Sequence, residues 1–302
     1  MTDVLDDARA FRVEAARHAL TVPRALPDLP RETFQVIDAG AQAPVRDLMV
    51  YRPQDGPEVP AVFVNLHGGG FVLGDWRDDD PYCRLLADVS GCAVINVDYV
   101  LAPEHPYPAA VHQVYDLLVW LEAFGAEHGL DGSRLAVGGH SAGGNLAAAC
   151  ALLARRSGRP ALRGLVVDYA PLDLASPPGT KLTDAMRADP GTTEFAEIGA
   201  RFNAWYLPDP AQGTDELASP VLAADLSGLP PTLVLTAELD FLRDDGDLFA
   251  ARLRAAGVAT EHTAFPGCGH AFTHQGPQEH ALAAWQQMAR FVRRVLVDEG
   301  AP

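Results

Sequence analysis

"VGGHSAGGN", residues 137–145, follows the apolar run "RLAV" and sets four glycines, an alanine and a histidine around one serine, Ser141. Three readings compete for it: a flexible loop, a glycine-rich phosphate cradle, or a sharp turn that lifts Ser141 off a sheet as a nucleophile. Residues 139–143 fit G-x-S-x-G, with a strand pattern before them and the alanine-rich helical run "NLAAACALLARR" after them, the context that a strand-to-helix elbow requires. Glycine at both flanking positions removes the Cβ atoms that would clash in such a turn, and the following helix points its first N–H groups toward the serine. A phosphate loop would need a lysine after the glycines, and none follows. A mere linker needs no glycine at both motif positions.

The rest of the chain places that elbow in a fold. From about residue 61 onward, short β-branched runs alternate with longer helical patterns, the signature of βαβ units and a largely parallel sheet. The expected strands are 61–66, 93–99, 134–139, 162–170, 232–237 and 259–265, several apolar almost throughout, as strands buried on both faces are. Helical spacing marks the stretches beginning at 107 and 244 and a last helix over 278–299. Two regions break the rhythm: residues 1 to about 45, and about 172–215, where a proline-rich loop precedes a helix-like piece carrying Phe195, Phe202, Trp205 and Tyr206. Such an aromatic stripe is usually core, but its place between a strand and the next crossover leaves a lid role open.

Composition excludes several functions. The 302 residues contain no linker that divides them, so one domain with insertions is expected; at 48% hydrophobic and 21% charged the chain reads as globular. A net charge of −17 disfavours nucleic acid and anionic membranes, which recruit Lys and Arg. No apolar run approaches the ~18 residues of a membrane span, and the acidic, amphipathic first twenty residues lack the pattern of a secretion signal, so a cytoplasmic protein is expected. Cys83, Cys92, Cys150 and Cys268 form no C-x-x-C pair and read as buried thiols.

An acyl-transfer nucleophile needs N–H donors for the developing oxyanion, an acid and a base. "HGGG" at 67–70 follows the first clear strand and lets backbone N–H groups approach a substrate oxygen; His67 has no partners at metal-ligand spacing. With this elbow the chain order is Ser, then Asp or Glu, then His. Asp240 and His270 stand just past successive expected strands, on the sheet edge that carries Ser141. Glu238 is a second choice for the acid; Asp244, Asp245 and Asp247 read as the solvated first turn of a helix, and His262 and His274 are less well placed than His270.

Taken together, "HGGGFVLGD" (67–75), "DYVLAPEHPYPAA" (98–110), "GGHSAGGNLA" (138–147), "SPVLA" (219–223), "AELDFLRDDG" (237–246) and "GCGHAF" (267–272) resemble the hormone-sensitive-lipase-like esterases of the α/β-hydrolase superfamily. The resemblance covers about residues 45–295. It implies an α/β-hydrolase fold, a mostly parallel sheet with helices on both faces, and a helical cap built from about 1–45 and about 172–215. It makes Ser141 the nucleophile, Asp240 the acid, His270 the base, and Gly68, Gly69 and Ala142 the oxyanion donors. It implies small esters of short to medium acyl chain as substrates, no cofactor and no metal, and it allows a homodimer. Phe202, Trp205 and Tyr206 are the candidate substrate-binding residues. An amidase, arylformamidase or peptidase would use the same triad, and plant gibberellin receptors keep the scaffold but depart at the histidine position, which is filled here. The chain differs from the family's usual residues at His140 (usually Asp), Phe241 (usually Pro) and Ala271 (usually Gly). His140, next to Ser141, is not expected to be its base, because adjacent side chains diverge on a tight elbow; contacts to neighbouring backbone are expected instead.

Overall fold

A computed structural model describes residues 2–298 except 20, 30–33 and 42. Its centre is an eight-stranded sheet in the order β1-β2-β4-β3-β5-β6-β7-β8. The strands are β1 (Gln35–Asp38), β2 (Asp47–Tyr51), β3 (Ala61–Leu66), β4 (Ala93–Val97), β5 (Asp131–His140), β6 (Leu162–Asp168), β7 (Thr232–Ala237) and β8 (Thr260–Phe265). Pairing is parallel from β4 through β8, and antiparallel where β2 meets β4 and β1 meets β2. Every residue of β3, β4 and β7 is buried, which explains why these strands are apolar without alternation.

All six expected strands form, with ends shifted by a few residues. The two further strands come from sequence without a strong signal. β1 is four residues long and mostly exposed, so it presents no buried face to read. It also corrects the expected extent of the N-terminal cap segment: residues 35–38 belong to the sheet, while 1, 20, 30–33 and 42 lie outside the described residues.

Among the described residues, nine helices accompany the sheet: α1 (Thr2–Ala19), α2 (Asp80–Ser90), α3 (Ala109–Phe124), α4 (Ala142–Ser157), α5 (Asp184–Arg187), α6 (Pro190–Tyr206), α7 (Arg243–Ala255), α8 (Phe272–Gln275) and α9 (Gln278–Arg293). Buried residues of α3, α4 and α7 share one apolar core with one face of the sheet, and those of α2 and α9 share a second core with the other face. The last helix ends earlier than expected and passes into a π turn over Arg294–Asp298; residue 299 lies outside the described residues. α2 and α4 each stop at a left-handed glycine, Gly91 and Gly158.

The 172–215 stretch, between β6 and β7, carries α5 and α6. α1 packs on α6 through Phe11, whose ring meets Phe202 at 5.6 Å and Trp205 at 5.5 Å. Arg12 fixes the other side of α1, donating to the Val72 and Ala102 carbonyls and to Glu104. Lys181 joins the insertion to α7: its ammonium meets Asp245 Oδ2 at 2.7 Å, with the two side chains only 10% and 7% exposed. Asp245 is therefore not the solvated helix-start residue expected. Burial raises its pKa, the Lys181 charge opposes that, and Oδ2 also accepts from the Leu172 and Asp173 N–H groups.

Candidate active site

Ser141 sits between β5 and α4 with φ 50° and ψ −119°, a left-handed conformation that costs a non-glycine residue about 1–3 kcal/mol. The turn holds because its neighbours are glycines. A Cβ on Gly139 would lie 2.4 Å from the Leu66 carbonyl oxygen, and one on Gly143 would lie 2.1 Å from the same atom. Both motif glycines are thus required by the close passage of β3. The Ser141 N–H donates to the Asp168 carbonyl, tying the elbow to the end of β6.

The serine hydroxyl lies 2.9 Å from His270 Nε2, and His270 Nδ1 lies 2.7 Å from Asp240 Oδ2. A carboxylate only accepts, so Nδ1 carries the proton and Nε2 is left to accept from Ser141. Asp240 is 2% exposed, and its other oxygen accepts from the Leu242 N–H. The relay runs over residues far apart in sequence that the C-terminal ends of β5, β7 and β8 bring together.

Gly68 packs against the elbow: a Cβ there would come within 3.4 Å of the His140 carbonyl oxygen and 3.6 Å of the Ser141 Cβ. Ala142 is the first residue of α4, so its N–H has no acceptor within the helix. The Gly68-Gly69 turn and the α4 N-terminus therefore flank one space beside the serine. His67, stacked on Tyr99 at 4.2 Å, braces the loop from below, and its Nδ1 lies 2.7 Å from the Gly68 carbonyl oxygen.

The competing residues are engaged elsewhere. Glu238 accepts from the Gly267 N–H, Asp247 pairs with Arg243 and with His262, and His274 meets Asp79. Cys268 is buried with Sγ 2.9 Å from His280 Nδ1. His140 departs from expectation. Its ring bonds to a carboxylate rather than backbone, Nδ1 lying 2.8 Å from Asp168 Oδ2.

The aromatic candidates divide. Tyr206 is fully buried and stacked on Phe71 at 3.8 Å, and Trp205 is 6% exposed against Phe11. Both are packing residues of the helix rather than walls of an open pocket. Phe202 reaches the glycine loop, where a Cβ on Gly70 would fall 2.1 Å from its ring. The open cleft beside the imidazole, about 410 Å³, is lined by Thr192, Phe195, Leu239, Phe241 and Gln275 around His270. Phe195 was the missed residue. Its position two turns before Phe202, on the same face of α6, is the signal that would have found it.

A family described by the alpha/beta hydrolase fold matches residues 63–274. The chain is an α/β hydrolase. The carboxylesterase NlhH of Mycobacterium tuberculosis is 40% identical over 272 residues, 87% of this hydrolase and 82% of that protein. An arylesterase of Saccharolobus solfataricus is 38% identical over 210 residues, 69% of this chain and 67% of that one. Among solved structures, a Pyrobaculum calidifontis esterase superposes with a TM-score of 0.81 at 36% identity, covering 95% of this hydrolase and 93% of the other chain. The resemblance to hormone-sensitive-lipase-like esterases and the α/β-hydrolase fold expected from it are borne out. Among the described residues, no helix is long and apolar enough to cross a membrane.

Proposed function

We propose that this α/β hydrolase is a serine carboxylesterase acting on small esters of short to medium acyl chain. The observation that carries the proposal is the relay from Asp240 through His270 to Ser141, with contacts of 2.7 and 2.9 Å, beside the glycine turn. His270 takes the Ser141 proton as the oxygen attacks the ester carbonyl, and Asp240 orients the ring and stabilises its cationic form. The Gly68, Gly69 and Ala142 amides meet the oxyanion, each contributing about 3 kcal/mol to the transition state. His270 then protonates the departing alcohol, and the acyl-enzyme is released by a water that His270 deprotonates. The described residues among the first 34, together with residues 172–215, form the cap over this site, with Phe195 beside His270 and Phe202 against the Gly70 turn.

Hydrolysis of p-nitrophenyl esters across acyl lengths, with matched anilides in parallel, tests the reading. Ser141→Ala abolishes ester turnover and labelling by a fluorophosphonate. Unchanged turnover in that variant would refute the scheme, and faster anilide than ester turnover would make the enzyme an amidase. We further infer a homodimer, for which, among the described residues, the sheet edges at β1 and β8 are each open on one side; light scattering on the eluting protein checks it. Four free, buried cysteines support a cytoplasmic location.

A further inference from the structure

Directly beneath the elbow lies a group of buried titratable side chains that acyl transfer does not use. Asp79 caps the start of α2, His140 ends β5, Asp168 ends β6, and His274 lies in α8, just beyond His270. Asp79, His140 and Asp168 are each at most 2% exposed.

Their contacts close into a ring. His140 Nδ1 donates to Asp168 Oδ2 at 2.8 Å, and His140 Nε2 stands 4.0 Å from Asp79 Oδ2. Asp79 Oδ1 accepts from His274 Nε2 at 2.8 Å, while its Oδ2 accepts from Asn65. His274 Nδ1 lies 3.0 Å from both the Thr273 and Tyr169 hydroxyls, and Thr273 Oγ1 donates back to Asp168 Oδ2 at 3.2 Å. Trp285 covers the ring, its indole 4.7 Å from His140 and its N–H on the Thr273 carbonyl.

Charge decides what fills this ring. Both nitrogens of His140 face carboxylates, so a neutral imidazole would aim a bare lone pair at Asp79; a second proton turns that repulsion into attraction. Buried carboxylates cost several kcal/mol each unless paired, and Asp168 Oδ1 has no partner among the described residues. Ligand atoms of Asp79, His140 and His274 lie within 4.8 Å of one another, so a metal ion is the other cation to weigh. The direct 2.8 Å hydrogen bond from His274 and the bond from Asn65 already occupy Asp79, which favours the proton.

We propose that this ring is a clamp in which His140 and His274 are positioning residues, holding the Ser141 elbow and the His270 loop at reacting distance. The proposal rests on the serine-esterase reading above. His140 adjoins the nucleophile, and Thr273 and His274 follow the base by one turn, so the ring bridges the two loops on the side away from the substrate. It works against the strain stored at Ser141, where a displacement of about 1 Å costs on the order of 10²-fold in rate.

The test counts sites before measuring rate. Titration with a p-nitrophenyl phosphonate gives the concentration of reactive Ser141 in each variant, and kcat is expressed per titrated site. His140→Ala is expected to lower that kcat by about 10- to 100-fold with KM changed by less than about twofold. His140→Asn, which keeps a donor toward Asp168, recovers part of the loss. His140→Ala combined with Asp168→Asn is no worse than His140→Ala alone, as members of one unit behave. Should His140→Ala not fold, Thr273→Val removes the hydroxyl that joins Asp168 to His274 and is expected to lower kcat about fivefold. An unchanged kcat per titrated site in the folded variants, or additive losses in the double variant, would overturn the clamp. So would one equivalent of metal bound to the wild type and lost in His274→Ala. A wild type that the phosphonate fails to label refutes the esterase reading instead.

Discussion

The ring of Phe195 lies over the imidazole of His270, centroids 4.7 Å apart and planes at 39°. Phe195 also meets Phe241 at 5.5 Å, so the residue that replaces the proline usual in this family builds the wall behind the base. Phe195→Ala removes an apolar surface worth about 1.5–3 kcal/mol when fully covered. The expected result is a roughly tenfold fall in kcat/KM for medium-chain p-nitrophenyl esters and a smaller fall for the acetate, read from a chain-length series.

Gly70 is the counterpart at the oxyanion side. With φ 61° and Phe202 pressed against it, it has room for no side chain. Gly70→Ala is expected to lower kcat about 10²-fold by shifting the glycine turn. Adding Phe202→Ala clears the obstruction and restores part of the rate, leaving the strain of the left-handed backbone. Steady-state kinetics on both variants separate the two contributions.

Ala271 holds φ 59° directly after His270, where the family usually has glycine. Left-handed backbone costs an alanine about 1–2 kcal/mol, and glycine returns part of that through its larger unfolded-state entropy. Ala271→Gly is therefore expected to raise unfolding free energy by about 0.5–1 kcal/mol, measured by urea titration, with the catalytic rate retained.

Lys181→Met leaves Asp245 buried without its cation. Breaking a buried pair from one side typically costs about 3–5 kcal/mol, and a loss near the lower end is expected because Asp245 keeps its two backbone donors. Denaturant unfolding measures it.

The clamp also sets a pH dependence of stability. Burial by itself lowers the His140 pKa, but the hydrogen bond to Asp168 and the charge of Asp79 outweigh it and hold the ring above the ordinary histidine range. A raised folded-state pKa contributes fully below the unfolded value of about 6.5 and is lost as pH rises through the folded one. Asp79 runs the other way. Burial would raise its pKa, yet the His274 hydrogen bond and the His140 charge hold it below the usual range, so its contribution is present above about pH 3.8 and lost in stronger acid. Thermal midpoints are expected to fall from about pH 6.5 upward, and His140→Asn flattens that alkaline decline.

What could be read in the chain followed the range of the forces involved. β3, β4 and β7 are buried on both faces and announce themselves as apolar runs. β1 and β2, at the solvent-facing end of the sheet, owe their existence to partners rather than to their own composition. That Ser141, Asp240 and His270 come together was legible because each follows a strand end with a short motif. The residues of the ring carry no such local spacing. One signal was within reach: β5 and β6 pair in a register that sets His140 opposite Asp168, so strand order would have named its partner. Phe195 was passed over because helical aromatics look alike in sequence until the face against the base is known.

Lys181 is the chain's single lysine, and it is folded inside against Asp245. Every other basic side chain is an arginine or a histidine, so the surface offers no free lysine amine to acylating agents. For an enzyme proposed to pass through an acyl-enzyme, that leaves no lysine amine at the surface to be acylated in side reactions, and it limits amine-directed crosslinking or immobilisation to groups other than lysine.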